Sequence, residues 1–165
     1  MRLLALDQAS RTSGYSVFED GKLLTYGKFT YDDEDIGLRL YKIRERVKAL
    51  ILENNIDYVV FEDIQMQGNV ANNVQTFKTL AEVFGVIYEL VTEMNIPNEA
   101  VLSSTWKSTL GIKGKVRQEH KQNAQAWVVA NYGVKPTQDE SDAICIGAHA
   151  SQRSGHKVES FDWSD

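Results

Sequence analysis

Cysteine is nearly absent from this chain of 165 residues. Cys145 stands alone, so no disulfide can close within it, and a reducing cytosol is the expected setting. Proline is almost as scarce; of the two, Pro97 breaks a helical pattern and Pro136 leads into the last helix. No apolar run approaches the roughly 18 residues of a membrane span, and no signal peptide opens the chain. Internal repeats and low-complexity segments are missing too. So is any excess of positive charge: 18 Lys and Arg against 23 Asp and Glu leave −5. That argues against broad nucleic-acid affinity, although salt screens charges beyond about 8–10 Å and a local patch can act alone. What remains is the composition of an ordinary globular protein, long enough for one domain that buries about two-thirds of its unfolded surface.

The chain opens on an unbroken apolar run, Leu3 to Leu6, which suits a strand covered on both faces, and Asp7 ends it. A charge beside a buried strand is costly unless it is paired or holds a metal. Two further strands follow, about Thr12–Glu19 and Lys22–Tyr31, joined by the hairpin signal Asp20-Gly21. Asp32 to Asp35 form an acidic turn, read as a solvated helix start rather than a metal site. In the helix from about Ile36 to Asn54, Leu38, Leu40, Tyr41, Ile43, Val47, Leu50 and Ile51 supply an apolar face, with Arg39, Lys42, Arg44, Arg46 and Lys48 mostly on the solvated side. A second apolar run, Tyr58 to Phe61, ends in Glu62. Strand, helix, strand in this order predicts a parallel pair, so Asp7 and Glu62 should end adjacent strands with their carboxylates converging on a divalent cation.

Ile64 to Asn73 is an amide-rich loop, either a plain connector or a substrate contact. A helix from about Val74 to Met94 follows, with Phe77, Leu80, Ala81, Phe84, Ile87, Tyr88 and Val91 on one face and Val83, Val86 and Leu90 beside it. So broad an apolar face calls for a second partner, a homodimer interface, or else deeper burial in the monomer. A short strand at Ala100–Leu102 precedes a basic segment in which Lys107, Lys113, Lys115, Arg117 and Lys121 face Glu119 alone, a local +4. With Gly111, Gly114 and Trp106 it reads as a phosphate-contacting surface or a solvated basic loop. After a helix at about Gln118–Asn131, Thr137 and Glu140 form a capping box that starts the last helix. Asp139 and Asp142 share one face of it. Asp139 reads as a site acid, with a purely dipole-complementing acid as the alternative, and His149 as a core or surface histidine. Arg11 sits in the turn after Asp7, which leads into the hairpin.

Asp7, Glu62, Asp139 and Asp142 thus offer an oxygen-only ligand set, which suits Mg²⁺ or Mn²⁺ rather than zinc. At this point the chain resembles the RuvC family of Holliday junction resolvases, among the ribonuclease H-like nucleases. The resemblance is carried by LALDQASRTSGYSV, YVVFED and the late Asp-x-x-Asp of QDESDAICIGA, in order from about residue 2 to 152. It implies an α/β fold: a mixed five-stranded sheet, its first three strands antiparallel and the rest parallel, flanked by helices. The nuclease domain would span 1–152, with 153–165 a flexible tail. The implied activity is that of a crossover junction endodeoxyribonuclease, a homodimer that cuts branched DNA by two-metal hydrolysis with Mg²⁺, for which Mn²⁺ substitutes. Asp7, Glu62, Asp139 and Asp142 fall on the family's four catalytic acids, and Lys107 and Lys121 on basic positions tied to DNA contact or catalysis. One departure concerns the residues after the glutamate, where bacterial members carry an aromatic; here the chain reads Ile64-Gln65-Met66-Gln67. Gln65 and Met66 take that place against the junction, Met66 as an apolar wedge. Such a form is similar to resolvases of bacterial viruses, which would place it in a bacterial host's cytoplasm. The rival readings are a related nuclease acting on RNA or flaps, and a protein that holds junctions without cutting.

Overall fold

A computed structural model describes residues 1–65 and 70–157 of the chain. In it the first apolar run becomes the middle strand of the sheet. The elements are β1 (Arg2–Asp7), β2 (Thr12–Glu19), β3 (Lys22–Thr30), α1 (Ile36–Glu53), β4 (Tyr58–Glu62), α2 (Val70–Glu93), β5 (Asn98–Val101), α3 (Ser103–Leu110), α4 (Arg117–Tyr132) and α5 (Gln138–Lys157). The strand order is β3-β2-β1-β4-β5; β1, β2 and β3 pair antiparallel, and β4 joins β1 and β5 in parallel. This is the mixed sheet expected from the sequence. Asp20 and Gly21 both take positive φ at the β2–β3 turn, as a tight hairpin of this twist requires.

Period-two alternation sends the side chains of β1 and β4 to two separate cores. Leu4, Leu6, Val59 and Phe61 pack with Ile43, Val47, Leu50, Val83, Ile87 and Leu90 beneath α1 and α2. Leu3, Ala5 and Val60 pack with Trp106, Val128, Ile144 and Ile146 beneath α3, α4 and α5. Each fully buried Leu, Ile or Phe contributes about 1.5–3 kcal/mol, so the continuous apolar strands hold the two layers together. Asp35 caps α1 by accepting from the Leu38 amide at 3.1 Å, and Asp33 pairs with Lys42 at 2.9 Å, so the acidic turn is a helix start. Arg44 joins α1 to α2 through Glu89 and Glu93.

Several expectations need correction. Arg39 is buried, four residues before Ile43 on the packed side of α1, rather than on the solvated face, while Leu38 and Tyr41, expected on the apolar face, lie off the Ile43–Val47–Leu50 stripe and are exposed. α2 begins at Val70, so the loop after β4 is shorter than Ile64–Asn73. Its buried stripe is Val83, Ile87, Leu90 and Val91, while Val74, Phe77, Leu80 and Tyr88 stay exposed. β5 lies at Asn98–Val101 instead of Ala100–Leu102. The start of the basic segment is the helix α3, closed by Gly111 at positive φ. At the C-terminus α5 runs past residue 152 to Lys157, and Arg153 reaches Glu99 at 2.6 Å, so the domain includes residues assigned above to the tail. The remainder of the expected tail, 158–165, lies outside the described residues.

α5 lies close on the sheet because small residues meet there. The Ser16 hydroxyl donates to the Ala143 carbonyl at 2.7 Å, and a Cβ on Gly147 would collide with the Phe18 ring. Gly147→Ala is therefore expected to destabilise by about 1–3 kcal/mol through overpacking, outweighing the roughly 1 kcal/mol that alanine gains in a helix. Thermal denaturation reads this directly; an unchanged or higher Tm would refute the close contact.

Candidate active site

Leu6 pairs with Phe61, so the next residues, Asp7 and Glu62, end neighbouring parallel strands. They follow Ala5 and Val60 at period two, which puts both carboxylates on the α5 side of the sheet. α5 brings its own acids there through its N-terminus. The Thr137 amide donates to the Glu140 carboxylate at 2.8 Å and the Glu140 amide to the Thr137 hydroxyl at 3.4 Å, completing the expected capping box. Gly14, the partner of Asp7 across β1 and β2, has no side chain where the Asp139 backbone passes; a Cβ would collide with the Asp139 carbonyl. Asp139 and Asp142 are thereby brought up to Asp7 and Glu62.

The electrostatics bind the four acids into one group. Burial raises the Asp7 carboxyl well above its usual range, with further increments from Glu62, Asp142 and Asp139 and opposition from Lys121. Asp142 is pushed up to about 7, first by burial, then by Glu62, with Asp139 adding to it and Lys107 and Lys121 opposing. Burial also raises Glu62, against a hydrogen bond from Trp106 and the charges of Lys107 and Arg117. The Trp106 indole Nε1 donates to Glu62 Oε2 at 3.4 Å, and Lys107 Nζ lies 5.3 Å from the centre of the Trp106 ring. Among the described residues no lysine or arginine forms an ion pair with any of the four acids.

Such a group fits a hard divalent cation. All its donors are oxygens, none is closed into an ion pair among the described residues, and the field of the group favours positive charge. Among the described residues no three acidic, histidine or cysteine side chains close around one point as a complete metal cage would. Mg²⁺ does not ask for that: it keeps several waters and is held by one or two carboxylates with substrate phosphates.

The basic candidates separate. Lys107 on α3 and Arg117 and Lys121 on α4 act on the acids, whereas Lys113 and Lys115 are exposed between the two helices. Arg11 donates to the Asp32 carbonyl at 3.4 Å, away from the acids. Gln65 is exposed just beyond β4, and Met66 lies outside the described residues. His149 is a core residue. Trp106, read from sequence as part of a phosphate-contacting surface, is instead buried beneath the site. Gln8 and Gly14 also shape the site and were not singled out for it, and Trp106 was singled out for a different role. The only sequence signals were an amide next to Asp7, a glycine in the same motif and a tryptophan before Lys107.

A family model described as crossover junction endodeoxyribonuclease RuvC matches residues 3–149. The crossover junction endodeoxyribonuclease RuvC of Syntrophomonas wolfei subsp. wolfei is 32% identical over 102 residues, covering 59% of this chain. The chain spans 57% of the length of that curated relative. Among solved structures, T. thermophilus RuvC in complex with a Holliday junction substrate matches with a TM-score of 0.72 at 16% identity, over 94% of this chain and 96% of that one. The fowlpox virus Holliday junction resolvase matches at 0.64 and 10% identity, over 93% and 99%. These two likenesses are of fold.

A carboxyl whose native pKa exceeds its unfolded value binds more protons when folded. Its penalty is thus absent below about pH 4 and grows as the pH rises toward the native value, here about 7 for Asp142. In metal-free buffer Asp142→Asn is expected to stabilise the protein near pH 8, by on the order of 2–3 kcal/mol. The advantage should shrink as the pH falls toward about 4. Melting curves of both proteins across this range check it; an advantage independent of pH would contradict the assignment.

Proposed function

The chain belongs to the crossover junction endodeoxyribonuclease RuvC family, and we propose that it cuts four-way DNA junctions by hydrolysing phosphodiester bonds at Asp7, Glu62, Asp139 and Asp142. The observation that carries this reading is the convergence of four unpaired carboxylates from β1, β4 and α5, ringed by Lys107, Arg117 and Lys121.

Asp7, central in the group, and its three neighbours would hold two Mg²⁺ ions, with Mn²⁺ as a substitute. The chemistry such ions supply is a lowered pKa for the attacking water and charge neutralisation at the departing oxygen. The remaining tasks fall to the chain. The strand ends keep Asp7 and Glu62 in place, and the docked turn of α5 keeps Asp139 and Asp142 opposite them. Lys107 offsets charge at the scissile phosphate. Water forms the new bond to phosphorus, the 3′ oxygen leaves with a proton, and the products carry a 5′-phosphate and a 3′-hydroxyl. Lys113, Lys115, Arg117 and Lys121 follow the DNA backbone, with Arg11, Gln65 and Met66 on the same substrate; this local positive surface overcomes the chain's net −5.

The exposed stripe Val74, Phe77, Leu80 and Tyr88 of α2 is the proposed homodimer face. A two-fold pair of sites would match the near-two-fold symmetry of a junction. Among the described residues no helix is long and apolar enough to cross a membrane, and the proposed place of action is the bacterial cytoplasm, where such DNA arises.

Offered four-way junctions, flaps, duplex DNA and RNA–DNA hybrids in Mg²⁺, the protein is expected to prefer the four-way junction. Absence of any preference for branched DNA would overturn this reading. Asp7→Asn should lower cleavage by at least about 10²-fold while junction binding persists; unchanged cleavage would exclude the site. Leu80→Arg should shift the protein from dimer to monomer in light scattering, and a dimer that persists would move the interface elsewhere.

A further inference from the structure

Glu62 is the last residue of β4, and its edge toward β1 faces a strand that is already leaving the sheet. The last backbone pair of that ladder is Leu6 with Phe61. Beyond it, β1 turns away through residues 8–11, and the turn is satisfied internally: the Ser13 hydroxyl accepts from the Ala9 amide and donates to the Ala9 carbonyl, both at 3.0 Å. No residue pair of that ladder lies beyond Leu6 and Phe61. From there the side chain of Gln8 continues the contact with Glu62. Its Nε2 donates to the Glu62 carbonyl at 2.6 Å, and its Oε1 accepts from the Glu62 amide at 3.1 Å.

A primary amide carries one carbonyl and an N–H on the same planar group, so it can imitate the next peptide of a parallel ladder. Gln8 extends the β1–β4 pairing by one residue while the main chain goes elsewhere. The carboxylate of Glu62 is held from another side by Trp106 Nε1. Without the amide bridge, the last residue of β4 would lose both of these bonds and would fray more readily, taking the carboxylate with it.

We propose that Gln8 is a positioning residue: by standing in for a backbone peptide it holds Glu62 beside Asp7 in the geometry that a divalent cation needs. The proposal rests on the reading of the four acids as a cation site. It assigns to Gln8 no contact with substrate.

The test uses the full-length protein and Gln8→Met, which keeps the length of the side chain and removes both hydrogen bonds, with Gln8→Ala as a second variant should the first fold poorly. Three measurements are made. In metal-free buffer, hydrogen exchange is expected to be faster at the Glu62 amide while Phe61 keeps its protection. Mn²⁺ binding without DNA, followed by electron paramagnetic resonance, is expected to weaken about 10–100-fold. Junction cleavage at low Mg²⁺ should fall in parallel and recover at high Mg²⁺, with junction affinity in metal-free buffer unchanged.

Mn²⁺ affinity within twofold of wild type would overturn the proposal, as would weakened Mn²⁺ binding that merely accompanies a lowered Tm and lost junction affinity. These results are distinguishable from failure of the functional reading. Wild-type protein that binds Mn²⁺ but shows no preference for junctions would defeat the resolvase assignment and leave Gln8 in its role. Wild-type protein that binds no Mn²⁺ would remove both.

Discussion

Parallel pairing of β1 with β4 is the constraint from which the rest of the structure follows. Two strands that end together, with registers matched from Leu3–Tyr58 to Leu6–Phe61, place their next residues about 4.8 Å apart. Because both ends have the same parity, both carboxylates emerge on one face. That juxtaposition is unfavourable by itself. It is maintained because seven buried apolar side chains commit the strands to two cores, and neither strand can shift register by one without moving its own to the wrong face.

α5 then has to approach a face that already carries negative charge. What brings it there is shape: Gly14 and Gly147 leave room, Ser16 bonds its Ala143 carbonyl, and Ala143, Cys145, Ala148 and Ala150 keep its packed side narrow. The capping box fixes where the helix begins and so which turn carries Asp139 and Asp142. α3 and α4 add cations from the side. Lys107, Arg117 and Lys121 moderate the field of the acids without pairing with them.

Features encoded locally were legible in the sequence. Apolar runs ending in Asp7 and Glu62, the Asp20-Gly21 turn and the Thr137–Glu140 box each state their structure within a few residues, and the β2–β3 hairpin and the parallel direction of β4 follow from element order. The apolar width of α2 was legible, but not which part of it the monomer covers, since helical periodicity is silent on where a neighbour sits. α3 escaped because eight mostly small polar residues carry no repeat long enough to read. Trp106 and Arg39 were misplaced for the same reason: an aromatic among lysines, or an arginine in a basic stripe, looks exposed until tertiary packing buries it. Gln8 was the least legible, because its role is to replace a peptide of its own strand, and only the paths of two strands reveal that a peptide is missing.

A site of this kind is where the fold gives up stability. Had Lys107 or Lys121 closed into ion pairs with Asp142 or Asp7, the native state would have gained and the carboxylates would have been occupied. With the cations held at a distance, burial and then Glu62 push the Asp142 carboxyl up to about 7, and its oxygens stay out of ion pairs. In the proposed reaction this has a consequence for pH. Carboxylates must lose their protons to act as ligands, so cation binding and proton release are linked, and binding should strengthen as pH rises through about 7. The repulsion among the four acids is then what favours a cation between them, while Lys107, Arg117 and Lys121 temper it without closing on any carboxylate.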